Sequence, residues 1–193
     1  MTIPKKPKTQ NPVLFDKLIS ELQDHLEAEL PWLDYVFGQA QTLRASRGQG
    51  REVKYPAVHL AAGEYVNVLP DQDLGNTSFV LLRDPQRLET IQTEFMSLST
   101  SFALIFWFNI TEIFEGATDR NTEAVKKAIL KSLTAPDLAL KSGRLTLSKL
   151  YEKADNVFKE FDIKELDSQY FMHPYAGIRI EGALNLKDIC LSS

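Results

Sequence analysis

The segment from Ser101 to Ile110 reads Ser-Phe-Ala-Leu-Ile-Phe-Trp-Phe-Asn-Ile and contains the longest apolar run of the chain, residues 102–108. Successive side chains of a β-strand point to opposite faces of its sheet. In this segment both alternating sets of side chains are apolar. A strand of this kind belongs in the middle of a sheet that is covered on both sides. We therefore predict that residues 101–110 form the central strand of the fold.

The N-terminal part of the chain has the pattern of a long amphipathic helix. Asn11-Pro12 is suited to its start, because Asn caps helices and Pro is favoured at the first helical position. The apolar positions follow at helical spacing: Leu14, Leu18, Leu22 and Leu26. Pro31 ends or kinks this predicted helix, and the apolar cluster of residues 32–37 is suited to one more helical segment.

Two further helices are predicted after the central strand. The first begins at Asn121 and places three apolar side chains on one face: Val125, Ile129 and Leu133. The second spans Thr146 to about Glu160, where apolar residues again recur at helical spacing.

Four other segments have strand composition. Residues 53–60 and 65–69 predict two strands joined by a hairpin turn, and residues 78–83 predict a third. In residues 178–186 apolar and polar side chains alternate, which predicts a half-exposed strand with a bulge at Gly182.

This order of elements lacks regular alternation of strands and helices. It therefore predicts an α+β fold: a mainly antiparallel sheet, a long N-terminal helix, and one or two further helices packed on the sheet. We expect residues 1–11 to be a flexible tail and residues 12–193 to form a single domain. Residues 136–170 are expected to be a helical elaboration of that domain.

Composition limits the classes of function. The chain has 193 residues and a net charge of −4, which gives no reason to expect broad attraction to nucleic acid or to anionic membranes. Cys190 is the only cysteine, so no disulfide can form within the chain. A reducing cytoplasm is the simplest compartment. A membrane-spanning helix needs about 20 apolar residues, far more than the run at residues 102–108.

The chain has no recognisable catalytic, cofactor-binding or metal-binding motif. His25, His59 and His173 lie on different predicted elements, and Cys190 has no neighbouring base. Two segments have the composition of binding loops but match neither a calcium-binding nor a phosphate-binding motif: residues 71–76 and Gly48-Gln49-Gly50. Three carboxylates could form an acid/base pair, but nothing distinguishes them from the other acidic residues among the 26 in the chain: Glu112, Glu115 and Asp119. We therefore predict no enzyme activity, no cofactor and no metal.

Two features are suited to contact with other molecules. The segment of residues 44–51 has the composition of an exposed flexible loop, and its Arg44, Arg47 and Arg51 form a candidate interaction loop for an acidic protein surface or a phosphate backbone. The aromatic side chains of the central strand fit a core, but protein interfaces also favour Trp, Tyr and Phe.

The layout resembles the small α+β proteins that complete bacteriophage tails, the tail-terminator, tail-completion and minor tail proteins. The similarity spans roughly residues 12–190. The matching segments are the helix of residues 14–30, Lys54-Tyr55-Pro56-Ala57-Val58, Ala103-Leu104-Ile105-Phe106-Trp107 before the helix at Asn121, and His173-Pro174-Tyr175-Ala176-Gly177-Ile178-Arg179-Ile180. The segment of residues 136–170 departs from the pattern, because compact terminators often lack a helix there.

The resemblance implies a non-enzymatic subunit of a phage or prophage tail or neck, located in the virion or in the cytoplasm of a bacterial host. Such subunits form rings, commonly of six copies, and contact other tail or neck proteins. Nucleic acid would then pass through the ring lumen and would not be bound directly.

Two alternatives stay open at this point. One is a cytosolic small-molecule-binding or enzymatic domain, with an apolar pocket near His59, Tyr65 or Arg179. The other is a nucleic-acid binder, which would need the arginines of residues 44–51 and Lys126, Lys127 and Lys131 to share one face.

Overall fold

A computed structural model of the chain describes residues 3–47, 51–61, 63–92, 95–115, 121–135, 138, 140–164 and 166–190. The helices are α1 Leu14–Glu29, α2 Ile110–Ile113, α3 Thr122–Thr134 and α4 Ala154–Val157. The strands are β1 Tyr35–Arg47, β2 Arg51–Ala61, β3 Glu64–Asn67, β4 Thr77–Gln92, β5 Phe95–Asn109, β6 Gly143–Tyr151 and β7 Tyr175–Cys190. Short 3₁₀ turns occupy Gln72–Leu74 and Ser168–Phe171.

The strands form one seven-stranded sheet in the order β3-β2-β1-β4-β5-β7-β6. Every neighbouring pair is antiparallel except β1 and β4, which are parallel. The parallel pair arises because the chain makes an excursion through β2 and β3 to the edge of the sheet before it returns as β4. The predicted α+β class, with a mainly antiparallel sheet and a long N-terminal helix, is confirmed.

The central strand β5 pairs with β4 on one side and β7 on the other. Phe102, Phe106 and Phe108 face one apolar cluster, and Ile105 and Trp107 face a second cluster on the opposite side of the sheet. The prediction of a doubly covered central strand is confirmed. The idea that its aromatic side chains serve as an interface is wrong, because Trp107 is 3% exposed and the three phenylalanines are fully buried.

Helices α1 and α3 cover the first face of the sheet. The buried side of α1 includes Leu18, Leu22 and Leu26, and that of α3 includes Val125, Ile129 and Leu133. Both predicted helices are present, but α1 begins later than predicted. Its N-cap residue is Val13, Asn11 has a positive φ of 51°, and Leu14 is exposed. Among the described residues, no helix has both the length and the apolar content needed to cross a membrane.

Residues 154–175 cover the second face, and they contain little helix. The helix predicted from Thr146 to Glu160, with the helical elaboration of residues 136–170, is wrong: the chain forms β6 and the single turn α4. Ser148 is an extra residue in the β6–β7 ladder, between the pairs Leu147–Gly182 and Lys149–Glu181. This bulge changes the spacing of the inward-facing leucines from two to three residues, which imitates helical periodicity.

Three other expectations are corrected by the sheet. Residues 35–37 begin β1 and are not helical, because Tyr35 and Val36 pair with β4. The strand of residues 178–186 is β7, which is covered on both faces and buries Arg179 and Glu181. The bulge expected at Gly182 lies opposite it, in β6.

The N-terminal segment is attached to the domain, whereas a flexible tail was predicted for residues 1–11. The backbone N–H of Val36 donates to the carbonyl of Lys5, 2.9 Å away. Gln23, which is buried, donates to the carbonyl of Pro7 at 3.0 Å. Lys6 forms ion pairs with two carboxylates of α1. Part of the segment therefore acts as a short addition to the edge of β1.

Asn76 fixes the start of the parallel pair. Its carbonyl accepts hydrogen bonds from the N–H groups of Asp34 (2.8 Å) and Tyr35 (3.1 Å), and its side-chain oxygen accepts from the N–H of Asn109 (2.7 Å). The side-chain amide donates to the carbonyl of Trp32 at 3.2 Å. This buried residue therefore joins the ends of three strands, β1, β4 and β5, by satisfied hydrogen bonds.

Gly182 is required by the close approach of β6 to β7. A Cβ atom added there would lie 1.8 Å from the carbonyl oxygen of Thr146 and 2.9 Å from the ring of Phe102. We expect Gly182→Ala to lower the free energy of unfolding by about 2–3 kcal/mol, because two packed groups must move. Urea unfolding followed by circular dichroism measures this change.

Gly177→Ala on the same strand is the matched control. Its added methyl group would contact a Val157 methyl group at 3.1 Å, a tight contact that a side chain can relieve. We expect a smaller loss than for Gly182→Ala. Equal losses for the two variants would contradict the role given to Gly182.

Candidate functional site

Two long β-hairpins leave the same end of the sheet, because β1 and β4 are parallel. We call the first arm residues 40–47 with 51–58, and the second arm residues 81–92 with 95–103. Residues 84–89 of the second arm are all exposed. The arms extend further than the contact between β1 and β4. Because β5 stays paired with β7 along the second arm, the part of that arm that is open to other molecules is the β4 strand with its exposed residues 84–89.

The candidate arginines lie on the first arm. Arg44 and Arg47 are in β1 and Arg51 is in β2, where it is the register partner of Arg47. The flexible loop predicted for residues 44–51 is therefore wrong for these three arginines, and residues 48–50 lie outside the described residues. The guanidinium of Arg44 is 3.2 Å from the carboxylate of Glu52 on the neighbouring strand. The role of the arginines in contacts with other molecules stays a prediction.

A cleft separates the bases of the two arms. The pairing of β1 with β4 ends at Gln39 and Val80, and from there the strands diverge. The space between them has a volume of about 330 Å³. Its lining comprises residues 39–42 of β1, residues 81–83 of β4, and Glu160. We call this space the strand cleft.

A cluster of charged side chains lies on the second face of the sheet, next to the strand cleft. Arg179 of β7 is fully buried, and its Nε donates to Oε1 of Glu181 at 2.8 Å. Its Nη2 donates to Oε1 of Glu160 at 2.8 Å, and its Nη1 to the carbonyl of Val157 at 3.1 Å. The guanidinium thereby fastens the segment of residues 157–160 to the sheet.

Two further cations complete this charge cluster. Arg83 of β4 donates to Glu160 at 2.5 Å and to Glu181 at 2.7 Å, and Lys159 is 2.7 Å from Glu181. Nε of Arg83 and Oε2 of Glu160 are buried and have no hydrogen-bond partner within the described part of the chain. Three cations thus surround two carboxylates, and the pairing is incomplete at these two atoms.

Small side chains on β5 leave room for the charge cluster. Ala103 lies between Leu81 and Glu181 in the ladder, and Ser101 lies next to Arg83. A large apolar residue at position 103 would fill the space that the ionic side chains occupy. Sequence reasoning missed the cluster because Arg179 and Glu181 alternate with isoleucines, a pattern that normally indicates an exposed face.

The charge cluster changes the pKa of Glu181. Burial by itself raises the pKa of this carboxyl, but hydrogen bonds from Lys159 and Arg179 and the charges of Arg83 and Arg179 outweigh burial. Together they lower the pKa to about 2. The carboxylate is therefore ionised at neutral pH and stabilises the fold as a partner of the surrounding cations. Its chemistry is that of a structural ion-pair network.

A second cavity, of about 630 Å³, lies between the N-terminal segment, α1 and the first three strands. It brings together His59 and Tyr65, whose rings are 5.0 Å apart in an edge-to-face arrangement. Arg179, the third residue proposed for a ligand pocket, lies in the charge cluster instead. The lining also includes the polar residues Gln23, Gln39 and Gln41, so it is more polar than the apolar pocket expected from the sequence.

The structure does not bring the three histidines together. His25 contacts the carbonyl of Ser132 on α3, His59 lies in β2, and His173 precedes β7. Among the described residues, no group of three or more His, Cys, Asp or Glu side chains could hold a metal ion. The side chain of Cys190 lies outside the described residues.

The other singled-out segments have structural partners. The segment of residues 71–76 contains a 3₁₀ turn in which the N–H of Asp73 donates to the side chain of Asp71. Glu112 accepts hydrogen bonds from the side chains of Asn76 and Asn109. Asp119 lies outside the described residues. On α3, Lys126 is paired with Glu123 and Glu152, on a different element from the arginines of the first arm.

Comparison of the chain with models of known protein families finds no match, and comparison with curated protein sequences also finds none.

The depressed pKa of Glu181 predicts how stability depends on pH. Its folded-state pKa of about 2 lies below the ordinary value of 4.5, so its contribution is present above pH 4.5 and is lost as pH falls toward 2. We expect Glu181→Gln to lower the free energy of unfolding by roughly 2 kcal/mol at pH 7. The difference in free energy of unfolding between wild type and Glu181→Gln should disappear as pH falls from 4.5 to 2, as measured by urea titrations at each pH.

Glu52→Gln serves as the control for this experiment. Glu52 pairs with Arg44 at an exposed position, so its substitution should change stability by less than about 1 kcal/mol. A gap between wild type and Glu181→Gln that stays constant down to pH 2 would refute the role given to the charge cluster.

Proposed function

We propose that this chain is a non-enzymatic structural subunit that assembles with copies of itself. The observation that carries this proposal is the pair of long β-hairpin arms at one end of the sheet, which part from each other and expose residues 84–89 of β4. Exposed strands and hairpins are the means by which subunits add to each other's sheets.

The distribution of exposed apolar side chains supports assembly through this end. Leu88 of the second arm is 60% exposed and forms a cross-strand row with Leu98, Leu186 and Gly143. A methyl group of Leu18 in α1 lies next to Gly143. The N-terminal turn of α1, with exposed Val13 and Leu14, therefore lies at the same end of the sheet as the arms.

The resemblance to phage tail-completion proteins gives this assembly its setting. We propose a ring, with six copies as the expected number, at the end of a phage or prophage tail or in the neck. Its partners would be other tail or neck proteins, in the virion or in the cytoplasm of a bacterial host. Neighbouring genes that encode portal, capsid, tail-tube or tape-measure proteins would support this setting.

Leu88→Lys tests assembly through the arm end. A lysine ammonium is costly to bury in a protein interface, so we expect self-association to weaken about tenfold or more without loss of the folded state. Light scattering over a range of concentrations measures association, and negative-stain electron microscopy shows whether rings form.

Met172→Lys is the matched control. Met172 is 62% exposed, like Leu88, but it precedes β7 and lies at the opposite end of the sheet. Its substitution should leave association unchanged. A wild-type protein that stays monomeric at every concentration would contradict the proposed function.

A second candidate function is the binding of a small polar molecule in the cavity near His59 and Tyr65. The observation that favours it is the cavity volume of about 630 Å³, which lies in the range of small-molecule sites. Thermal-shift screening against a metabolite set would then give a ligand that raises the melting temperature. His59→Ala should abolish that shift and leave the melting temperature of the free protein nearly unchanged. A screen in which no compound stabilises the protein would count against this candidate.

A further inference from the structure

The wall of the strand cleft formed by β1 exposes backbone hydrogen-bonding groups. Thr42 is the register partner of Pro56 on β2. Pro56 has no N–H, and its carbonyl accepts a hydrogen bond from the N–H of Val68, on the side away from β1. Thr42 and Pro56 therefore form a non-hydrogen-bonded pair. The N–H and C=O of Thr42 consequently point away from β2, into the strand cleft.

A second pair in the same hairpin supports this alternation. Lys54 is the register partner of Arg44, and its N–H and C=O both bond to Asp162, on the side away from β1. Backbone groups of alternate residues point to the same side of a strand. Ala40, Thr42 and Arg44 therefore direct their N–H and C=O groups toward the side of β4. The last bridge between the strands, Gln39 with Val80, uses the N–H of Ala40, so the open edge of β1 runs from the carbonyl of Ala40 to Arg44.

The opposite wall of the strand cleft is the edge of β4. The carbonyl of Asn76 accepts from the N–H of Tyr35, so alternation along β4 directs the N–H and C=O of Leu82 into the strand cleft. Pro85 follows three residues later and has no N–H to offer. The stretch of β4 backbone that can form hydrogen bonds with an added strand is therefore short, whereas the corresponding stretch of β1 continues to Arg44.

We propose that the strand cleft receives an extended segment from a second copy of this chain, which pairs with the open edge of β1 over residues 40–44. A strand edge presents N–H and C=O groups in alternation, and an extended polypeptide presents the same alternation, so the two can form a ladder of hydrogen bonds. Exposed strand edges are paired in this way when subunits associate. The inference rests on the proposed function, because a second copy is the occupant.

The surroundings of the strand cleft favour a protein occupant. The strand cleft opens toward the end of the sheet at which the exposed apolar residues Val13, Leu14 and Leu88 lie. An inserted segment can thus continue onto apolar surface once it leaves the backbone edge. Arg83 and Glu160 line the floor of the strand cleft and are each about one-third exposed, so both signs of charge are available there to a polar side chain of the occupant.

Thr42→Pro tests the proposal with little effect on the fold of the free chain. The substitution removes the N–H that points into the strand cleft, but no hydrogen bond between β1 and β2 is lost because Thr42 and Pro56 are a non-hydrogen-bonded pair. One interface hydrogen bond per copy is lost, and the proline ring projects into the strand cleft. We expect self-association to weaken about fivefold to tenfold. Thr42→Ala, which keeps the N–H, should associate like wild type.

Amide hydrogen exchange of the wild-type protein provides a second measurement that needs no variant. The amides of Thr42 and Leu82 should exchange rapidly at low concentration and become protected when the protein associates. If association persists while these amides stay unprotected and Thr42→Pro associates like wild type, the inference is overturned and the proposed function stands. If wild type never associates, the proposed function fails, and the inference fails with it.

Discussion

Burial of β5 on both faces is the constraint on which the rest of the structure depends. Its phenylalanines pack against α1 and α3, and its Ile105 and Trp107 pack against the segment of residues 154–175. Leaving either face uncovered would expose large aromatic surface to water, so the chain must supply a layer on each side. The long antiparallel neighbours β4 and β7 then satisfy the backbone of β5 along most of its length.

The second layer is held by charge as well as by apolar contact. Segment 154–175 has little regular structure, so its backbone contributes few of the hydrogen bonds that would fix its position. The side chain of Arg179 supplies such bonds from the sheet, to the carbonyl of Val157 and the carboxylate of Glu160. Glu181 forms ion pairs with Lys159 and Arg83. Burying a charged network of this kind costs desolvation free energy. We infer that its directional hydrogen bonds fix one position of the segment on the sheet, which apolar contacts alone would specify less strictly.

The arms follow from the same arrangement. The Ala40 end of β1 belongs to the hairpin with β2, and the Leu81 end of β4 belongs to the hairpin with β5, so the parallel pair is short and the two hairpins part. The strand cleft and the exposed Leu88 are both products of this divergence. If β1 and β4 stayed paired along their whole length, neither strand would have an open backbone edge in the middle of the sheet. The proposed assembly therefore involves the end of the molecule at which these two strands separate.

The sequence by itself determined the α+β class, the central strand, the N-terminal helix and the helix after Asn121, because each has an apolar period that survives in the structure. Tertiary pairing decided the rest. The bulge at Ser148 gave a strand the spacing of a helix, and the arginines of residues 44–51 became strand residues because β1 and β2 continue their ladder to Arg47 and Arg51. The charge cluster and the strand cleft could not be read from local patterns, since both are made by residues far apart in the chain. Only the folded sheet brings Arg83, Glu160 and Arg179 together, and only the register of Thr42 with Pro56 decides which way its backbone points.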